Sequence, residues 1–77
     1  MKTAKIMLSS IEAVRKFVDA VRKYDFETDL SSGRYVVDAK SIMGIFSLDL
    51  MNPVELTVHS DDCDELFEEI GDYIVAD

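Results

Sequence analysis

Ala4, Ile6 and Leu8 alternate with Thr3, Lys5 and Met7 at the start of the chain, the period of two that turns one face of a β-strand toward a core. The period then changes. Ser9-Ser10-Ile11-Glu12 has the form of a capping box, with the Ser9 hydroxyl accepting from the Glu12 amide and the Glu12 carboxylate from the Ser9 amide. Behind it Ile11, Val14, Phe17, Val18, Val21 and Tyr24 recur at steps of three and four, which predicts an amphipathic helix from that box to Tyr24. On its outer side Glu12/Lys16, Arg15/Asp19 and Asp19/Lys23 are opposite charges one helical turn apart.

Alternation returns over Phe26, Thr28 and Leu30 and again over Tyr35, Val37 and Ala39, and Ser31-Ser32-Gly33 between them predicts a hairpin. Ser41 then stands where a short helix would be capped, with Pro53 limiting its length. Val54, Leu56 and Val58 alternate with Glu55, Thr57 and His59, predicting a fourth strand whose outer face carries the histidine. From Asp61 onward Cys63, Leu66, Phe67, Ile70 and Ile74 fit a last helix, and Asp61, Asp62, Asp64 and Glu65 crowd its first turn, where the helix dipole favours negative charge. The expected architecture is α+β, an open-faced sandwich in the order β-α-β-β-α-β-α with a four-stranded antiparallel sheet backed by helices. One domain is expected over residues 1–77.

Composition narrows the function classes. At 77 residues, 48% apolar and 31% charged, the chain has room for one thin core and none for a two-domain enzyme. Its net charge of -8 repels nucleic acid and anionic membranes. A single cysteine and a single histidine cannot make an internal disulfide or a His/Cys zinc site. The acidic stretch Asp61, Asp62, Asp64, Glu65, Glu68, Glu69 lacks the spaced ligands and glycine of a calcium loop, so no metal or cofactor is expected. No apolar run approaches the roughly 18 residues of a membrane span, and the first residues are too mixed for a signal peptide, which predicts a cytoplasmic protein.

Few residues are left to carry chemistry. Ser41 is locally a helix cap. His59 has no nucleophile or cation paired with it by periodicity and reads as a solvated strand residue. Cys63 falls on an apolar stripe and reads as a small core side chain.

The run Asp38-Ala39-Lys40-Ser41-Ile42-Met43-Gly44-Ile45-Phe46-Ser47-Leu48 resembles the HPr family, small phosphocarriers of the bacterial sugar phosphotransferase system, and element order and length agree with it along nearly the whole chain. The resemblance implies a regulatory phosphorylation site at Ser41. It also implies a partner-docking patch beside it, with Met43 and Phe46 at its centre and Ile42 and Lys40 adjoining. The family's main chemistry lives on a His-Ala-Arg-Pro motif at the start of the first helix, and this chain departs from it. Counting back from Phe17-Val18 puts that motif on Ser10, Ile11, Glu12 and Ala13, with every position changed. A serine there would give a stable ester, and Glu12 would oppose a phosphate dianion.

The resemblance therefore implies a non-catalytic regulatory protein, similar to the Crh proteins, which also lack the phosphocarrier histidine. Its expected partners are an HPr kinase/phosphorylase and a regulator or enzyme of carbon metabolism. A monomer or weak dimer is expected. The alternatives are a divergent phosphoryl carrier using His59 or Ser10, and a plain oligomerising module.

Overall fold

A computed structural model describes residues 1–75. Strand β1 (Lys2–Ile6) leads into helix α1 (Ile11–Arg22), and β2 (Thr28–Ser32) and β3 (Tyr35–Asp38) form the hairpin. The short helix α2 (Ile42–Phe46), strand β4 (Val54–Val58) and helix α3 (Asp64–Glu69) follow, and a 3₁₀ turn spans Gly71–Tyr73. The order is the expected β-α-β-β-α-β-α.

The four strands form one antiparallel sheet in the order β1-β4-β2-β3. Its registers set Ala4, Leu56, Leu30 and Val37 in one row and Lys5, Glu55, Ser31 and Val36 in the next, so alternation along each strand gives one apolar and one polar face. Val14, Phe17, Val18 and Val21 from α1, Ile45 from α2 and Leu66 from α3 are buried with Ile6, Leu30, Leu56 and Val58 from the sheet. Burying each such side chain contributes about 1.5–3 kcal/mol against its exposed state. The opposite sheet face is left open.

Gly33 turns the hairpin with a φ of 61°, and no other residue among the described residues has a positive φ. A positive φ at the first central position alone is the signature of a type II′ turn, which suits the twist of the flanking strands and favours glycine there.

Several sequence expectations are corrected. The cap of α1 is Ser10, whose hydroxyl accepts from the Ala13 amide at 3.0 Å, so the Ser9/Glu12 capping box does not form. Starting one residue later leaves Leu8 free to reach the core and the Met7 amide to donate to the Tyr73 carbonyl at 2.8 Å. With Ala13 three residues after the cap, no carboxylate can return the bond, and Glu12 pairs with Lys16 at 3.1 Å instead. Arg15/Asp19 and Asp19/Lys23 form no ion pairs among the described residues, and Lys23 reaches Glu69 of α3 at 3.2 Å.

Ile11 is 63% exposed rather than in the core. The last helix is also shorter than its periodicity predicts. After Ile70 the chain tightens into the 3₁₀ turn, and Ile74 bridges to Ile6 while the Val75 amide donates to the Lys5 carbonyl at 2.9 Å. The strand edge of β1 offers unpaired backbone groups, and this pairing satisfies the Lys5 carbonyl, as the Tyr73 carbonyl does the Met7 amide. Asp61 and Asp62 precede α3, whose first turn carries Asp64 and Glu65. Asp64 meets Lys2 at 2.8 Å, with the Lys2 ammonium over the Phe67 ring at 5.6 Å.

Candidate functional site

Two serines begin two helices, and both expected sites lie there. At the start of α1, Ser10 is extended, with φ -148° and ψ 162°, and exposed. Its hydroxyl is held by the Ala13 amide. Beside it, the hydrogen bond from Lys16 to Glu12 raises the lysine above its ordinary range. Glu12 thus keeps a carboxylate and its counter-ion close to the helix start, where a bound anion would have to sit. Ser10, Glu12, Ala13 and Lys16 line a shallow groove with Tyr73.

On its other side the start of α1 opens onto an apolar depression of about 300 Å³ lined by Leu8, Ser9, Ser10, Ile11, Phe46, Leu50 and Met51. Phe46 is 42% exposed and Met51 86%. Ile11, Leu50 and Met51 join this surface although periodicity assigned Ile11 to the core and gave Leu50 and Met51 no role. The available signal was Ile11 at the first helical position, where a core-facing stripe runs out beyond its sheet.

At the start of α2, Ser41 is exposed and its hydroxyl accepts from the Gly44 amide at 3.2 Å. A Cβ on Gly44 would stand 3.3 Å from both the Ser41 hydroxyl and Val37 Cβ. Glycine is what lets the cap and β3 approach this closely. Of the four expected docking residues, Met43 is 78% exposed and Phe46 partly so, whereas Ile42 is half-buried against the core. Lys40 is turned inward, its ammonium donating to the Tyr24 carbonyl at 2.8 Å while its own carbonyl accepts from Arg22 at 3.0 and 3.2 Å. These bonds fasten the start of α2 to the last turn of α1.

His59 is not brought to either serine. Its Nε2 lies 2.7 Å from Asp29 Oδ2, on the open face of the sheet. Val58 pairs with Lys2, so His59 sits at the far end of β1 from Ser10, at least about 13 Å away by strand rise alone. Cys63 is buried, as expected. Among the described residues no group of histidine, cysteine and carboxylate side chains could hold a metal ion, and no helix is long and apolar enough to cross a membrane.

Comparison with known proteins agrees with this architecture. No curated protein sequence matches the chain. Among solved structures, HPr-C-His from Thermoanaerobacter tengcongensis superposes with a TM-score of 0.78 at 29% identity, covering 94% of this chain and 89% of that one. The phosphocarrier protein HPr from Bacillus anthracis str. Ames gives a TM-score of 0.68 at 24% identity, covering 96% and 94%, a likeness of fold. The family profile for the PTS HPr component phosphorylation site matches residues 11–75, from the first residue of the helix that Ser10 caps to the Ile74 bridge. With most of its length matched, the chain belongs to the HPr family of phosphotransferase-system phosphocarriers.

Proposed function

We propose that this protein is a regulatory, Crh-like member of the HPr family that docks on partners without carrying a phosphoryl group on histidine. The observation that carries this reading is the start of α1. The position where the family's motif places its histidine is a serine already engaged as a helix cap. A carboxylate stands two residues on, and the one imidazole of the chain lies at the other end of the sheet. A labile nitrogen-phosphorus bond needs an imidazole, and a hydroxyl gives a stable ester.

Docking is assigned to the apolar surface formed by Met43 and Phe46, extended by Ile11 and Met51, with Lys40 and Ile42 holding α2 beneath it. Clusters of exposed large apolar side chains are characteristic of partner surfaces. Ser41 is assigned as a site of regulatory phosphorylation by an HPr kinase/phosphorylase, with a regulator or enzyme of carbon metabolism in the cytoplasm as the partner. A phosphate there would displace the hydroxyl from the Gly44 amide and put two negative charges beside the docking surface. The Arg22 guanidinium hydrogen-bonds the carbonyl of the preceding residue, Lys40.

The test is incubation with an HPr kinase followed by mass spectrometry of the Ser41 peptide. One phosphate on Ser41, absent in Ser41→Ala, supports the reading. Acid-labile phosphate on His59 after incubation with phosphoenolpyruvate and the general phosphotransferase enzyme, lost in His59→Ala, refutes it.

A further inference from the structure

Strand β3 is an edge of the sheet, paired on one side with β2. The Ala39 amide donates to the Thr28 carbonyl at 2.8 Å, so alternation turns the backbone groups of Val37 and Tyr35 toward β2 as well. Those of Val36 therefore point away from the sheet. The side chains at this edge are Tyr35, 73% exposed, and Val36, 65% exposed. Edges of this kind are usually short and guarded by charge. Here the two flanking charges have opposite sign and stand symmetrically about Val36, with Arg34 two residues before it and Asp38 two after.

We propose that β3 pairs with β3 of a second copy of this chain, antiparallel and centred on Val36, to form a two-fold dimer with a continuous eight-stranded sheet. In that register each Val36 exchanges its outward amide and carbonyl with its counterpart, and each Arg34 comes opposite Asp38 of the second copy. On the helix-covered side each Tyr35 comes opposite Val37, which is half-buried in the core. A shift by one residue would turn every side chain to the wrong face. A guard against pairing would work with charge of either sign, but opposite charges at mirrored positions fit an antiparallel copy of the same strand.

Local electrostatics points the same way. Asp38 lies directly across from Asp29 in the register with β2, an arrangement that destabilises when both are charged. Asp29 has His59 at 2.7 Å, and one Asp38 oxygen accepts from the Lys40 amide at 2.8 Å. Arg34 makes no ion pair among the described residues. The pairing would bring a guanidinium to that carboxylate. So short a strand buries less than the roughly 1,000 Å² of a stable interface, and each copy carries a charge of -8, so the dimer is weak, with a Kd on the order of 0.1–1 mM.

The test uses the full chain, by sedimentation and amide NMR, from about 20 µM to about 2 mM, a range that brackets that Kd. The expected result is reversible dimerisation with concentration-dependent shifts centred on Val36. Arg34→Asp and Asp38→Arg, each folded by circular dichroism, should each weaken self-association about tenfold or more, because each sets like charges opposite one another. Mixed together, the two variants present opposite charges at both positions and should associate with each other. Val36→Pro, which removes the central outward amide at an edge position that tolerates proline, should be monomeric. A wild-type chain that stays monomeric throughout the range overturns the proposal, as does a dimer indifferent to these changes or a mixture that does not associate.

Discussion

The hydroxyl of Ser10 accepts from an amide three residues on at 3.0 Å, and that of Ser41 does the same at 3.2 Å, yet the helices they start are anchored differently. Helix α1 has twelve residues and buries Val14, Phe17, Val18, Ala20 and Val21. Helix α2 has five and buries only Ile45. The start of α1 faces an open apolar depression, while the start of α2 is tied by Arg22 and Lys40 to the end of α1. Identical caps therefore do not identify a site. What differs is how much of the structure depends on the helix that each cap begins, and a short helix with one fully buried side chain can be shifted by a modification that a long one would absorb.

The largest expected effect breaks this contrast at its anchor. Ile45→Ala should cost about 2–5 kcal/mol by cavity formation, read from the urea midpoint. Amide exchange should accelerate in α2 far more than in α1. Equal acceleration in both helices would mean that α2 is held mainly by its hydrogen bonds to α1.

Restoring the family's motif tests the other helix. The triple change Ser10→His, Glu12→Arg, Ala13→Pro supplies the nucleophile and a phosphate partner. Proline is tolerated in the first turn, but the bond from the Ala13 amide to Ser10 is lost at about 1 kcal/mol. Slow, acid-labile labelling of residue 10 by the phosphotransferase enzyme is expected. A folded variant that takes no label would mean that the docking surface too has diverged.

A smaller effect separates the two caps directly. Ser10→Ala should cost about 1 kcal/mol in thermal denaturation, whereas Ser41→Asp, an acidic cap, should change stability by well under about 1 kcal/mol. Its effect should fall on partner binding. If Ser41→Asp and Ser41→Ala bind every partner as the wild type does, Ser41 is a cap alone.

The smallest effect is a control away from both helix starts. The hydrogen bond from Lys2 holds the Asp64 carboxyl below its ordinary value near 3.8. A folded pKa below the unfolded one means that the pair's stabilisation is present above the unfolded value and lost as pH falls through the folded one. Asp64→Asn should slightly flatten the fall of Tm between about pH 5 and pH 3 and leave amide exchange in α1 and α2 unchanged.

How legible these regions were in the sequence follows from how local their determinants are. The strands and the start of α2 depend on alternation and on one serine followed by Gly44, all within a few neighbours. The start of α1 depended on Met7 and Tyr73 meeting across the fold, so periodicity could not choose between Ser9 and Ser10. Ile11 continued the apolar stripe, and only the relative placement of α1 and α2 exposes it beside Phe46. The end of α3 departs from its periodicity for a related reason. Ile74 keeps helical spacing, but the unpaired edge of β1 captures it as a strand partner.

The strand order β1-β4-β2-β3 also constrains the sequence of events during synthesis. The central strand that joins both halves of the sheet is the last to leave the ribosome, since Lys2 waits for Val58 and Thr28 waits for the same residue. Until then only α1, α2 and the β2–β3 hairpin can form from nearby residues, and β1 has no strand to pair with. The nascent chain therefore carries unsatisfied β1 and β2 edges until β4 emerges, and closure of the sheet is a nearly simultaneous event set by the emergence of one five-residue segment.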